Sequence, residues 1–423
     1  MNNVFEYKEE YAWLTNICLN VTDACNLACR YCFVEQHPHF MSYKIAEKAV
    51  YFVLDNLKKK NQKFGQNEKA AITYFGGEPT LMWDEIIVPL TKWIRENDFP
   101  ISLSITTNGT LLNKEKIEFL KEYNVPILLS IDGAEETQNF NRPCRPHKDC
   151  RSSFDKVVEN IGYILEAFPY TTFRGTIFAP TAKNTFENYM FAVLCGFKNI
   201  FLIPDSRHPW TDEQRTELRE ELNKIYSFME HCFENNEIPI DFSLINNSFE
   251  HILKHDLNSV TNQNKKIPVN RAVMRCGLGT GMGAIGYDGN IYGCQEQVSG
   301  KENNAFYIGN VSTGIDKDAH SKILEDYYQL MEQFSSDIQK CDKCPLQTFC
   351  HQLACPSLTY ELYHNFNTES DIRCDWYNWL FHNSAQMMKR LVEQDNQVFK
   401  FYLNKYCNYT EYFGKEEDSN GKS

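Results

Sequence analysis

No apolar run in the sequence approaches the roughly 18 to 20 residues that a bilayer-spanning helix needs, so no membrane span is expected. The opening stretch, MNNVFEYKEEYAWL, lacks a basic segment leading into an apolar one, so it does not read as a secretion signal. No block of Lys and Arg is longer than Lys58–Lys60, and the formal net charge is -13. A nucleic-acid-binding face shows as clustered positive charge, so this balance excludes that class of partner. It would steer a neutral or basic peptide segment better than an acidic one. There is no internal repeat of fixed period and no low-complexity segment, which excludes solenoids and arrays. A cytoplasmic chain is expected.

Cysteine is the opposite case, with 16 of them. The ordinary explanations are disulfides and metal. A cytosolic chain keeps its thiols reduced, which favours metal or iron–sulfur ligation over a disulfide framework. The length of 423 residues exceeds one ordinary domain but suits a barrel with an appended module, and 42% apolar residues can fill a large core.

From Leu14 to about Phe201 short β-rich runs alternate with helical patterns. Strands are expected at 14–22, 71–77, 101–109, 125–133, 171–180 and 199–204, dense in Ile, Leu, Val, Phe and Thr as in strands buried on both faces. Between them, SYKIAEKAVYFVLDNLKK places Ile45, Ala49, Val50 and Val53 on one helical face behind a Ser suited to an N-cap. About six β–α units in a row imply a parallel sheet curled into a partial barrel, with chemistry at the C-terminal strand ends. The expected organisation is an N-terminal extension over 1–13, the partial barrel over 14–210, a helical bridge over 211–265, a cysteine-rich module over 266–375, and a C-terminal helix and tail over 376–423.

After the first strand, DACNLACRYCF sets Cys25, Cys29 and Cys32 within eight residues. A structural zinc site or an electron-transfer cluster would use four ligands. Three thiolates instead suit a [4Fe–4S] cluster with one iron open to a small molecule; the alternative is a zinc loop completed by His37 or His39. The Cx3Cx2C spacing, with Tyr31 before the last cysteine, resembles the signature of radical S-adenosylmethionine (SAM) enzymes. The resemblance implies that the open iron chelates SAM and that its reductive cleavage gives a 5′-deoxyadenosyl radical. An external electron donor of flavodoxin or ferredoxin type is implied too. It extends to the next strand ends. Gly76, Gly77, Glu78 and Pro79 match the motif that meets the methionine amino group, with two glycines admitting a close backbone approach. Asn108, Ser130 and Asp132 would lie at the SAM ribose or methionine region, and Arg142 would pair with the SAM carboxylate. Arg174 and Thr176 are weaker candidates on the fifth strand.

The C-terminal cysteines resemble the SPASM module, which carries two auxiliary [4Fe–4S] clusters, making three in all. By position, Cys276, Cys294 and Cys355 would hold the first, and Cys341, Cys344, Cys350 and Cys374 the second. The spacing CHQLAC leaves Cys350 and Cys355 open to exchange, and a pair of zinc-ribbon sites is the alternative. Some SPASM enzymes have a further cysteine where this chain has Met282, which leaves room for an open iron in the first auxiliary cluster without deciding it. Of the remaining cysteines, Cys18 and Cys195 read as small core residues, and Cys144 and Cys150 as flanks of a plain loop.

The resemblance implies a maturase that abstracts hydrogen from a ribosomally made, Cys-containing precursor peptide and joins the cysteine sulfur to carbon as a thioether. A carbon–carbon (cyclophane) crosslinking maturase uses the same parts. A formylglycine-forming sulfatase maturase would have an acidic base where this chain has Gln295; Glu296, one place on, is the remaining candidate base. A non-catalytic iron–sulfur scaffold would need neither the GGEP motif nor Arg142. About a dozen residues precede the first strand, so a leader-gripping winged-helix domain is expected to be absent. Leader recognition would then fall to a separate leader-binding protein, or to residues 205–265 and the C-terminal helix.

Overall fold

A computed structural model of the chain describes residues 5–146, 150–254, 277–298, 304–333, 355–364 and 371–407. Eleven strands among these residues form one sheet. They are β1 (Asn16–Thr22), β2 (Ala70–Gly76), β3 (Ile101–Thr107), β4 (Ile127–Ser130), β5 (Thr172–Ile177), β6 (Asn199–Pro204), β7 (Asp241–Phe242), β8 (Met282–Ile285), β9 (Asn290–Tyr292), β10 (Tyr307–Asn310) and β11 (Gly314–Ile315). Strands β1 to β7 lie side by side in chain order and run parallel, as successive crossover units require.

The helices that cover this sheet follow local signals. In Tyr43–Phe64, Ala46, Ala49, Val50, Val53 and Leu57 repeat at helical spacing and are buried. Ser42 Oγ accepts from the Ile45 N–H, and Gly65, at φ 63°, ends the helix. Burying side chains of the Val and Leu class contributes roughly 1.5–3 kcal/mol each, so this apolar stripe outweighs any single cap.

The six expected strands are present, but not with two equally buried faces. β2 to β6 alternate a buried residue with a partly open one. The helix-facing positions, such as Ile72, Leu103, Leu129, Phe173 and Leu202, are apolar and sealed. The opposite face carries Thr73, Ser104, Thr106, Ser130, Arg174 and Thr176, which line a cavity. The β-branched and small polar residues that make the strands legible thus belong to an inner surface, not to a second hydrophobic layer.

Three further differences stand out. The region expected to be a helical bridge contains the helices Asp212–Glu234 and Ser243–Lys254, and between them β7 extends the sheet beyond β6. The C-terminal helix starts at Asp371, ahead of the expected boundary, and the segment divides into Asp371–Glu393 and Gln397–Cys407 around Asp395, at φ 54°. Most consequential, the described strands of the cysteine-rich module join the barrel sheet. β8 pairs in parallel with β1, matching Asn16 to Met282 and Leu19 to Ile285, and β9 to β11 continue the sheet antiparallel. No helix among the described residues is long and apolar enough to cross a membrane.

Candidate active site

The loop after β1 carries Cys25, Cys29 and Cys32 and is clamped from two sides. On one side the segment after the helix Glu135–Asn141 lies along it: the Ala28 N–H donates to the Pro143 carbonyl at 2.8 Å, Arg30 N–H to Asn141 at 2.9 Å, and Arg145 N–H to Asn26 at 3.1 Å. On the other side, the Gly77 N–H donates to the Thr22 carbonyl and the Glu78 N–H to Ala24, both at 2.8 Å. A Cβ on Gly76 would fall 2.1 Å from the Thr22 oxygen, and one on Gly77 2.2 Å from the Ala24 oxygen. The two glycines are therefore needed for the close approach of β2 to the end of β1 and the start of the cysteine loop, and both also line the cavity.

All three cysteines line the cavity of about 620 Å³ that the inner sheet face encloses. Burial pushes the thiol of Cys25 up to about 12 and that of Cys29 up to about 11. The Leu27 N–H donates to Cys25 Sγ at 3.4 Å and Gln36 Nε2 to Cys32 Sγ at 3.6 Å. Among the described residues no three His, Cys, Asp or Glu side chains converge on one point as a single ion would need. His39, a possible fourth zinc ligand by sequence, instead bonds Asp23 through Nδ1 at 2.7 Å and stacks on Tyr287.

The strand-end residues divide into those that reach the cavity and those that support it. Glu78 is buried. Its Oε1 accepts from the Thr80 N–H, Thr80 Oγ1 and Thr107 Oγ1, and its Oε2 accepts one bond, from the Asn108 N–H at 2.9 Å. Burial raises its carboxyl above the usual range despite these donors. Asn108 is turned to the cysteine loop, with Nδ2 donating to Asn26 Oδ1 at 3.0 Å and lying 3.9 Å from Cys25 Sγ.

Ser130 lines the cavity as expected, whereas Asp132 sits behind it. Asp132 Oδ2 accepts from Tyr31 at 2.5 Å and Asn141 Nδ2 at 3.0 Å, while Oδ1 accepts from the Thr176 N–H and from Arg142 Nη2, both at 2.9 Å. With two donors on each oxygen, Asp132 holds the arginine and the tyrosine in place rather than facing a ligand. Arg142 does line the cavity, and its buried Nε has no partner. Tyr31 lies under Arg142, 5.5 Å from ring centroid to guanidinium carbon.

Across the cavity stand Gln295 and Glu296, from the short turn after Cys294. Cys294 and Cys355 come together behind them: burial first, and then the Glu296 carboxylate, raises both thiols. Gln297 ties the two segments by donating to Ser357 Oγ at 3.0 Å. Glu296 Oε2 accepts from Arg207 Nη2 at 2.9 Å, and Arg207 also donates to Glu361 at 3.0 Å. Cys374 lines a second cavity, with Arg215, Arg219 and Asp375. Cys276, Cys341, Cys344 and Cys350 lie outside the described residues. Met282, in β8, is partly open.

Two cysteine readings change. Cys18, expected in the core, faces the cavity from β1, and burial pushes its thiol up to about 11. Cys144 and Cys150, expected as flanks of a plain loop, form a disulfide in the segment that clamps the cysteine loop, Cys144 bridging to Leu27. Arg207 and Arg373 were not singled out by sequence, although Arg207 stands just beyond β6, where the strand-end rule would have found it.

The comparisons with known proteins agree with this arrangement. Residues 19–190 match the radical SAM superfamily model. The radical SAM cyclopropyl synthase TigE of Paramaledivibacter caminithermalis is 23% identical over 403 residues, which is 90% of this chain and 75% of TigE. A cysteine-type anaerobic sulfatase-maturating enzyme of Clostridium perfringens is 33% identical over 146 residues, but these span only 32% of this chain and 36% of that enzyme. The solved structure of native anSMEcpe with bound AdoMet and Cp18Cys peptide superposes with a TM-score of 0.63 at 19% identity, over 90% of this chain and 99% of that one. Its likeness shows the fold. Together with the cysteine loop and the strand ends that clamp it, these matches establish that the chain carries a radical SAM domain across residues 19–190.

Proposed function

We propose that the protein is a peptide maturase that forms a thioether between a cysteine sulfur and a carbon of a ribosomally made precursor. A radical SAM domain implies a [4Fe–4S] cluster and SAM, and the residues present fit both. Three thiols line one wall, Arg142 Nε is a buried donor without a partner, Glu78 Oε2 has acceptor capacity to spare for an ammonium group, and Ser130 opens on the same space. Bound there, the pair supplies reductive cleavage of SAM to a species able to take a hydrogen atom from carbon.

The observation that carries the peptide reading is the continuity of the cavity. One space runs from Cys25, Cys29 and Cys32 to Gln295 and Glu296, with Cys294 and Cys355 directly behind. A substrate lying between them meets the first cysteine group on one side and the second on the other. On this reading Cys276, Cys294 and Cys355 hold one auxiliary cluster, and Cys341, Cys344, Cys350 and Cys374 the other. That Cys355 is near enough to act on the Cys294 thiol, and that both are raised by Glu296, supports that division over the exchange of Cys350 and Cys355. The thioether product has two hydrogens fewer than the precursor. Removing them takes one hydrogen atom from carbon, one proton from the thiol to solvent, and one electron, for which a cluster held by the C-terminal cysteines would be the acceptor.

Carbon–carbon bond formation is the second reading, supported by the match to a cyclopropyl synthase over most of the chain. Formylglycine formation is less well supported. Gln295 cannot accept a proton at neutral pH, and the Glu296 carboxylate is engaged by Arg207.

The test begins with the Cys25→Ala, Cys29→Ala, Cys32→Ala variant after anaerobic reconstitution. It should make no 5′-deoxyadenosine and still bind iron through the C-terminal cysteines. SAM cleavage by that variant would overturn the assignment. With a Cys-containing peptide encoded beside this gene as substrate, the wild type should remove two hydrogen masses per modification, and tandem fragmentation then separates sulfur–carbon from carbon–carbon links.

A further inference from the structure

Four arginines line the cavity, and three have side-chain partners. Arg142 is paired with Asp132, Arg207 with Glu296 and Glu361, and Arg373 donates to Ser206 Oγ at 3.2 Å. Arg174 differs. Its guanidinium packs on Phe201, 4.5 Å from the ring centroid, and Nη1 donates to the Gly175 carbonyl at 2.9 Å. Among the described residues no carboxylate lies within ion-pair distance of it. Burial, and then the like charge of Arg142, bring it down to about 10. A cation partly withdrawn from water and left without a counterion is stabilised by a ligand that supplies one. An arginine fork presents paired N–H donors in the geometry that a carboxylate fills.

Its place in the cavity says whose carboxylate this is. Arg142 is the cation that acts on Cys29, and its spare Nε serves that end. Arg174 lines the same cavity from β5, opposite Ser130 of β4, and is coupled to Arg142, Tyr31 and Asp132 at that end and, after them, to Glu296, the carboxylate beside Cys294 and Cys355. It therefore stands between the two cysteine groups, where the proposed substrate must lie.

We propose that Arg174 is a specificity residue that binds the carboxylate of an Asp or Glu side chain of the substrate peptide, next to the position where the new bond forms. This rests on the peptide-maturase reading above. It also refines the expectation from charge: the net charge of -13 steers a neutral or basic segment inward, and Arg174 selects one acidic side chain within it.

The probe is N-acetyl-glutamate amide, with N-acetyl-glutamine amide as its neutral isostere, titrated into reconstituted, SAM-loaded enzyme and followed by thermal shift and calorimetry. The acid should bind and the amide should not. Arg174→Gln should weaken acid binding roughly ten- to a hundredfold, the range for a charged hydrogen-bonded contact, and Arg174→Lys by less. SAM affinity should be the same in all three proteins, and circular dichroism checks that each is folded. Equal binding of acid and amide by the wild type, or acid binding undiminished in Arg174→Gln, overturns the proposal. A loss of SAM affinity in Arg174→Gln overturns it as well, because the guanidinium would then serve the SAM carboxylate. Failure of the parent reading shows separately, as a wild type that makes no 5′-deoxyadenosine on reduction.

Discussion

Asp132 Oδ1 accepts from Arg142 Nη2 at 2.9 Å, with the carboxylate fully buried and the guanidinium 10% exposed. The pair links the end of β4 to the segment that clamps the cysteine loop, and the same carboxylate holds Tyr31 from inside that loop. Replacing Asp132 by Ala leaves Arg142 buried without its counterion. The expected loss is about 3–5 kcal/mol, the usual cost of breaking a buried pair from one side. Denaturant unfolding of the apo chain measures it. The double variant with Arg142→Met should recover part of the loss, because no uncompensated charge then remains; if it is as unstable as the single variant, the ion pair is not the cause.

Gly77→Ala puts a methyl group 2.2 Å from the Ala24 carbonyl oxygen, and backbone is on both sides of that contact. The loop start must move away from β2. Iron bound by the reconstituted protein should fall and SAM cleavage should be lost, while the far-ultraviolet dichroism stays as in the wild type. An alanine variant that cleaves SAM normally would show that the clamp does not position the thiols.

His320 is fully buried, with Nε2 2.6 Å from the Gly279 carbonyl and Nδ1 2.9 Å from Tyr7 Oη, so it joins the N-terminal segment to the second module. Burial brings its pKa down to about 4. The unfolded chain therefore takes up this proton at higher pH than the folded one. Stability from this site is complete above the ordinary histidine value near 6.5, falls as pH drops, and is spent at about 4. The full effect is about 3 kcal/mol, at roughly 1.4 kcal/mol per unit. His320→Gln should flatten the dependence of the unfolding midpoint on pH between these limits; an unchanged slope would assign it to other groups.

Much of the barrel was legible because its strands are short, rich in β-branched residues and separated by helices with clear caps. Those signals are local. Ser42 and Gly65 act within a few residues of themselves. The cysteine loop was legible through its spacing. The division between lining and supporting residues was not, because it depends on side chains that meet across the fold. Asp132 looks like a ligand-facing strand-end acid until Tyr31, the adjacent pair Asn141 and Arg142, and the Thr176 N–H arrive from three separate places to occupy it. Arg174 is only a weaker candidate in sequence for the converse reason: its lack of a carboxylate partner among the described residues shows only once its neighbours are in place. The pairing of β8 with β1 joins residues more than 260 positions apart, and no periodicity in either strand announces it.

That last pairing sets a length scale. Cys25 follows the end of β1 and Cys294 follows the end of β9, one strand beyond β8, so the register that matches Leu19 to Ile285 also sets how far apart the two cysteine groups stand. On the peptide-maturase reading proposed above, the sheet acts as a ruler for the substrate. A single-residue insertion in β8 would shift one end of that ruler, changing which bond of a bound peptide is brought between the two groups without altering any side chain that touches it.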